Sequence, residues 1–181
     1  MGEVAGRRGA SGRAAPDAVD ELLAAWARQR PDVDVAPLQV FSRVSRLALH
    51  LGRARAAAFR GVDLEEWGFD VLAALRRAGP PYVLSPRALL AETLAGSATT
   101  SHRLDRLEAA GLVARTPDPA DGRGVQVALT RAGQARVDRA LELLAAAEAE
   151  LLGALPSRDR AALAALLRRL LATVEPIPPL P

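Results

Sequence analysis

One order of predicted elements, between residues 84 and 133, constrains the fold of this chain more than any other feature. Ser85 opens a short helix, and a second helix runs from Ser97 until Gly111 ends it. Two extended segments then flank a loop rich in Pro, Asp and Gly, and Thr130 caps a further helix. Helix, turn, helix, strand, hairpin and strand predict a winged helix-turn-helix, and so a mainly α (α+β) fold.

The composition excludes several classes of protein. The 181 residues include no Cys, so the chain forms no disulfide and uses no thiolate for redox chemistry or metal binding. No apolar run approaches the roughly 18 residues of a membrane span, and residues 1–13 lack the apolar stretch of a secretory signal. We therefore expect a cytoplasmic protein with no membrane partner. The net charge of +3 permits nucleic-acid binding without diagnosing it.

The two ends of the chain differ from its middle. Residues 1–15 are rich in Gly, Ala and Arg, which predicts a disordered basic tail, and residues 176–181 form a Pro-rich tail. Residues 16–31 predict an added N-terminal helix. Its apolar face consists of Val19, Leu22, Leu23 and Trp26.

The main domain is expected at residues 36–175. A winged module at about 62–130 lies between two helical regions, 36–60 and 131–174. The two helices predicted within 131–174 carry wide Leu- and Ala-rich faces, with more apolar surface than one small winged module covers, and the first helix is expected to help cover it. We interpret the excess as a homodimer interface, so the flanking helices are expected to be dimerisation helices. The alternative is a helical hairpin that covers its own core.

The first helix of the winged module is expected to start in a capping box. Asp63 stands three residues before Glu66, with Asp in place of the usual Ser or Thr. The helix then runs from Leu64 to Ala78, and Gly79 with the following Pro pair ends it.

The helix that begins at Ser97 carries the residues expected to read DNA. Thr100, Leu104 and Leu107 recur at helical spacing and face inward, which turns other residues outward. Small and hydroxylic side chains in the first turn let the helix N-terminus approach phosphates and base edges. The predicted DNA contacts on this helix are Ser97, Ala98, Thr99, Ser101, His102 and Arg106. The alternatives are an ordinary surface His and hydroxyls that only cap the helix or face solvent.

Arg123 is expected at the tip of the hairpin, where it completes the DNA contacts. Asp121, two residues earlier, can hold the guanidinium in a bidentate ion pair and aim it. An aimed Arg suits a narrow minor groove, where the potential is most negative. The alternative is a surface ion pair with little energetic value.

Catalysis has no support in this pattern. Ser101, His102 and Asp105 resemble a triad only along the chain, because adjacent helical residues diverge by about 100° and do not face each other. No Gly-rich phosphate loop and no metal-ligand spacing occurs. We therefore expect no enzyme, no cofactor and no metal site. The remaining alternative is a winged-helix module that binds proteins and has lost DNA binding.

These residues resemble a known family. The segment Asp118 to Gly133 is similar to the wing and following helix cap of MarR-type transcription regulators. Arg103 to Glu108, with Gly111-Leu112-Val113, resembles their recognition helix and its exit. The resemblance implies a homodimer that binds a palindromic operator in double-stranded DNA, usually as a repressor, and releases it on binding a small phenolic or acidic ligand. Gly122 departs from the pattern, since a second basic residue is common there.

A narrower resemblance concerns a urate-responsive branch of the family, which has an added N-terminal helix bearing a Trp. The implied ligand-binding residues stand at matching places: Trp26, Asp70, Arg103 and Arg115. Two Arg and one Asp can hold a small acidic or aromatic effector against the indole. In the empty site, Asp70 is expected to neutralise Arg103. Citrate, trans-aconitate or a phenolic compound are alternative effectors, and Trp26 is alternatively a packing residue only.

Overall fold

The computed structural model describes residues 15–93, 97–118 and 124–175, and of residues 97–100 the backbone alone. Apart from Ala15, both predicted tails lie outside these ranges. The chain divides into two units, one ending at His50 and the other beginning at Leu51. No helix in the described ranges is long and apolar enough to cross a membrane.

The described ranges contain seven helices and one three-stranded sheet. The helices are α1 (Ala18–Gln29), α2 (Leu38–Arg60), α3 (Glu66–Arg77), α4 (Pro86–Glu92), α5 (Ser97–Ala109), α6 (Arg131–Leu151) and α7 (Ser157–Val174). The strands are β1 (Val83–Leu84), β2 (Val113–Pro117) and β3 (Val125–Leu129). This order of elements is the predicted one.

In the first unit, ion pairs hold the start of α1 to α2. Asp17 caps α1 by accepting the backbone N–H groups of Val19 and Asp20, at 2.8 and 3.1 Å. The Arg43 guanidinium donates to Asp17 at 2.8 Å and to Asp20 at 2.9 Å. Val19 is buried, whereas Trp26 on the same helix is 47 % exposed. The first turn of α1 is therefore the part of this helix that is most buried.

The sheet is antiparallel, with the strand order β1-β3-β2. Arg115 on β2 pairs with Val127 on β3, and Val83 on β1 pairs with Ala128 on the other side of β3. The central strand buries Val127 completely, as period-2 alternation predicts. A mainly α chain with this small sheet confirms the predicted winged helix-turn-helix.

Two predicted helix caps are confirmed. The Ser85 hydroxyl accepts the backbone N–H of Ala88 at 3.2 Å, and Pro86 occupies the first turn of α4. The Thr130 hydroxyl accepts the backbone N–H of Gly133 at 3.0 Å at the start of α6. Both side chains satisfy donors that a helix start leaves unpaired.

The predicted capping box at Asp63 is wrong. α3 begins only at Glu66, and Glu65 holds the N-cap position without a side-chain hydrogen bond to the backbone. Asp63 instead has a φ of +51°, in the tight turn that joins α2 to α3. The Asp63 N–H donates to the Arg60 carbonyl at 3.2 Å, and the Arg136 guanidinium donates to the Asp63 carbonyl at 3.3 Å. Asp63 therefore contributes to the turn through its backbone conformation, which the three-residue spacing of a capping box does not reveal.

The core of the second unit is built from aliphatic residues around two stacked rings. Phe59 at the end of α2 and Phe69 on α3 have ring centroids 4.7 Å apart. Leu72, Leu75 and Leu89 are fully buried around them. α3 is thus the central helix of this core, and its position determines where its neighbours can pack.

Gly133 allows α6 to approach the start of the wing. A Cβ at this position would lie 2.1 Å from the Leu112 carbonyl oxygen and 2.7 Å from the Leu129 side chain. The same carbonyl accepts the backbone N–H of Thr130 at 3.1 Å. Only a residue without a side chain permits this contact.

α7 leaves its apolar residues uncovered by the described chain. None of its residues is buried, and Leu166, Leu171 and Val174 are 60 %, 50 % and 69 % exposed. Leu141 on α6 is 55 % exposed. The excess of apolar surface expected on the C-terminal helices is therefore present in the folded chain.

Candidate nucleic-acid interface

α5 has an apolar side that packs inward and a polar side that faces outward. Leu104 and Leu107 are 2 % and 4 % exposed, as their spacing predicts. Ser101 and His102 are exposed, and the Arg106 side chain is 52 % exposed. A helix divided in this way can present its polar residues to the edges of a groove.

Some of the predicted DNA contacts lie outside the part of the chain that the structure describes. Ser97, Ala98 and Thr99 form the first turn of α5, but their side chains lie outside the described part of the chain. Asp121 and Arg123, at the expected tip of the wing, lie outside the described ranges altogether. Their roles stay predictions.

Arg115 ties the wing strand β2 to α5. Its Nη1 atom donates to Asp105 at 2.6 Å and to Glu108 at 3.1 Å. Its Nη2 atom donates to the Ser101 carbonyl at 3.2 Å, and its backbone N–H donates to Glu108 at 3.0 Å. The side chain is only 28 % exposed, so solvent screens these charge-assisted hydrogen bonds incompletely. The structure thus places Arg115 as a brace between the wing and α5.

A second set of contacts joins α5 to the start of α3, and we call it the Trp67 cluster (Glu65, Trp67, Arg103 and Arg106). The Arg106 guanidinium donates to one Glu65 carboxylate oxygen, and the Trp67 indole N–H donates to the other. The guanidinium carbons of Arg106 and Arg103 lie 5.0 and 5.6 Å from the centre of the Trp67 ring, within cation–π range. The hydrogen bonds from Arg106 and then Trp67 lower the pKa of Glu65.

Sequence reasoning did not identify Glu65 and Trp67 as site residues. The available signal is an aromatic residue beside two acids at a helix start, together with Arg at positions i and i+3 on α5. This signal became informative only when the fold brought α3 against α5.

The ion pair expected between Asp70 and Arg103 is absent, and both side chains are in the described ranges. Arg103 lies over the Trp67 ring instead. Asp70 lines a cavity of about 170 Å³ between α3 and the end of α4. Its side chain is exposed, yet desolvation raises its pKa against the opposing charge of Arg55. The charge of Arg103 still lowers the pKa of Asp70, so the two groups interact without a direct ion pair, and the expected neutralisation of Arg103 by Asp70 stays a prediction.

The predicted effector residues are divided between the two units of the chain. Trp26 belongs to the first unit and is exposed on α1, whereas Arg103 and Arg115 belong to the second. Arg115 is occupied by Asp105 and Glu108. A shared pocket for the four residues stays a prediction. Within the described ranges, no group of His, Asp and Glu could hold a metal ion.

Comparison with known sequences identifies relatives over most of the chain. The sequence profile of the MarR family matches residues 60–124. The HTH-type transcriptional regulator PecS of Dickeya dadantii is 36 % identical over 151 residues, which cover 83 % of this chain and 91 % of PecS.

Solved structures share the fold. BpsR of Bordetella bronchiseptica, whose DNA binding is regulated by 6-hydroxynicotinic acid, is 30 % identical with a TM-score of 0.57, covering 70 % of this chain and 91 % of that one. A Cys-to-Ser mutant of MarR from E. coli, solved with operator DNA, is 27 % identical with a TM-score of 0.64, covering 76 % of this chain and 96 % of that one. The chain therefore belongs to the MarR family of DNA-binding transcriptional regulators and is not an enzyme.

Proposed function

We propose that this chain is a repressor that binds a palindromic operator as a homodimer and releases it when a small acidic ligand binds. The observation that carries the proposal is the polar outer side of α5, with Ser101 and His102 exposed above the buried Leu104 and Leu107. A helix held by its apolar side can enter a major groove with the other side. The MarR relative solved with operator DNA supports this use of the fold.

The proposed contacts follow from that placement. α5 reads the major groove, and the wing reaches the adjacent minor groove. The proposed major-groove residues are Ser97, Ala98, Thr99, Ser101, His102 and Arg106. Arg123, aimed by Asp121, is the proposed minor-groove residue.

The homodimer is proposed from the apolar residues that the described chain leaves uncovered. Leu166, Leu171 and Val174 on α7 would stay exposed to solvent in a monomer. A two-fold axis through such a surface pairs it with itself. The same axis relates two copies of α5, so each copy meets one half of a palindrome.

The effector is proposed to be a small acidic or aromatic molecule. The proposed contacts are Trp26, Asp70, Arg103 and Arg115. BpsR, a relative controlled by an aromatic acid, supports this class. Urate is the first candidate, and citrate, trans-aconitate or a phenolic compound are the alternatives. An incoming anion would compete with Asp105 and Glu108 for Arg115, which would loosen the brace between the wing and α5.

DNA binding is tested by measuring the affinity for a palindromic duplex, selected by the wild-type protein from a random pool, at two salt concentrations. Phosphate contacts make the affinity fall steeply with salt. Arg123→Ala should weaken binding about tenfold or more, because a lost charged groove contact costs roughly 1–3 kcal/mol. Arg158→Ala is the control, since that side chain is 87 % exposed at the start of α7. A chain that selects no duplex would instead be a protein-interaction module.

Ligand control is tested on the protein–duplex complex with urate, citrate and salicylate. The wild type, Trp26→Phe and Arg115→Ala are compared for ligand-induced release. A ligand that prefers the DNA-free conformation by about 3 kcal/mol lowers the operator affinity roughly a hundredfold. Equal ligand sensitivity in all three proteins would remove Trp26 and Arg115 from the effector site and leave Trp26 as a packing residue.

A further inference from the structure

Arg106 has one proposed partner and a different observed partner. The proposed function assigns it to DNA, whereas in the free chain Glu65 holds its guanidinium beside the Trp67 ring. We propose that Glu65 docks Arg106 in the free protein, and that operator binding transfers the guanidinium from the Glu65 carboxylate to a DNA phosphate. This inference rests on the proposed DNA-binding function and adds a residue, Glu65, that sets its affinity.

The position of Arg106 on α5 allows both partners. Arg106 lies one turn after His102 and so shares its side of the helix. Long side chains on a helix lean toward its N-terminus, which here is the end proposed to enter the groove. The Arg106 and Glu65 side chains are 52 % and 55 % exposed. Exchange of partners therefore requires side-chain rotation and leaves the buried Leu107 in place.

The Glu65 carboxylate is positioned to accept a hydrogen bond from the Arg106 guanidinium. It occupies the N-cap position of α3, but its carboxylate makes no hydrogen bond to the helix backbone. One oxygen accepts the Trp67 indole N–H, which orients the carboxylate, and the other accepts Arg106. Arg106 and Trp67 keep the pKa of Glu65 below its ordinary range, so the carboxylate is charged at neutral pH. Both partners of this carboxylate are side chains of the Trp67 cluster.

The exchange has a predictable direction. An exposed ion pair contributes up to about a fivefold preference for the docked position, and that preference opposes DNA binding. Removing the Glu65 charge should therefore tighten operator binding by roughly two- to fivefold per protomer, and by up to about 25-fold for two protomers. Glu65→Gln suits the purpose because no helix-cap hydrogen bond is lost.

The test is a double-mutant cycle on the selected palindromic duplex, using wild type, Glu65→Gln, Arg106→Ala and the double variant. Glu66→Gln is the matched control, because it removes the same charge from the same turn of α3. The Glu66 carboxylate pairs with Arg55, at 3.0 Å, and not with Arg106. We expect Glu65→Gln to tighten binding and Glu66→Gln to change it less than twofold. In the Arg106→Ala background, Glu65→Gln should have no further effect, since its action passes through Arg106.

The salt dependence provides a second readout. Arg106→Ala should lower the slope of log affinity against log salt by about one per protomer, as expected for one lost phosphate contact. If Glu65→Gln tightened binding equally in the wild-type and Arg106→Ala proteins, the Glu65 carboxylate would act only by general repulsion of DNA. That result would overturn the proposal. An unchanged slope for Arg106→Ala, or weaker binding by Glu65→Gln, would also overturn it, because the pair would then only position α5.

The docked state is tested without DNA by following the Glu65 carboxyl resonance in an acid titration of the full chain. The pKa of Glu65 should rise toward its ordinary value in Arg106→Ala, and an unchanged pKa would overturn the docked position. Failure of the proposed function gives a different result. In that case the wild-type protein selects no duplex, and no salt-dependent affinity is measured. The proposed transfer of Arg106 to a phosphate is then refuted together with the proposed function.

Discussion

Gly133→Ala is expected to destabilise the chain, although Ala favours a helix. The new Cβ would lie 2.1 Å from the Leu112 carbonyl oxygen, where ordinary contact begins at 3.4 Å, so α6 and β2 must separate by roughly 1 Å. Separation stretches the hydrogen bond from the Thr130 N–H to that carbonyl, now 3.1 Å, and the Thr130 hydroxyl contact with the Gly111 carbonyl, now 2.7 Å. Overpacking costs about 1–3 kcal/mol, each weakened hydrogen bond about 1 kcal/mol, and the helix gains back about 1 kcal/mol.

The net loss is about 2–4 kcal/mol, which for a chain of this size lowers the Tm by roughly 5–15 °C. Gly52→Ala is the matched control, because no heavy atom lies within 4 Å of a Cβ built there. In the interior of α2 that change should raise the Tm by roughly 2–4 °C. Thermal unfolding is compared at one protein concentration, since the Tm of a dimer depends on it. Equal Tm shifts for the two variants would refute the assignment of Gly133 as a close-packing residue.

Three further predictions concern the rest of the chain. The hydrogen bond from Arg43 lowers the pKa of Asp17 to about 2, so its stabilising contribution is present above its ordinary pKa of 3.8 and is lost as pH falls from there through about 2. Asp17→Asn should therefore remove the acid-dependent change in Trp26 fluorescence over this range. Arg115→Ala should weaken operator binding about tenfold by freeing the wing from α5, while Arg139→Ala, which removes an exposed ion pair, should change it less than about twofold. Light scattering at micromolar concentration should give a dimer, and a monomer would contradict the proposed interface.

Local signals were sufficient to predict most of the fold. Ser85 and Thr130 cap helices through contacts with residues three positions away, so a short stretch of sequence contains both partners. The alternation of β3 and the spacing of Leu104 and Leu107 depend likewise on neighbours along the chain. Asp63 failed the same kind of reasoning, because its conformation is determined by a turn that also contacts Arg136 on α6, 73 positions away.

The site was less predictable because its contacts are not local. Helical spacing predicted Arg106 as a DNA contact, and the family resemblance implied Arg103 and Arg115 as ligand contacts. The partners of these three side chains depend on the approach of other elements. Glu65 meets Arg106 over a separation of 41 positions, and no period or spacing rule connects them. Arg103 likewise lies over the Trp67 ring and makes no direct ion pair with Asp70, a placement that depends on how α3 and α5 pack.

The cations of Arg106 and Arg115 around α5 are paired with nearby acids, in a chain whose net charge is only +3. Arg106 is held by Glu65, Arg115 is held by Asp105 and Glu108, and none of these cations is surplus in the free chain. Under the proposed function, the free energy of operator binding is then a difference between phosphate contacts and the acid contacts that they replace. A further anion that binds one of these Arg residues would shift this difference. An acidic effector that competes for Arg115 would therefore act on the same kind of balance that Glu65 sets for Arg106. This competition requires no additional element, because the charges are already in place along α3, α5 and β2.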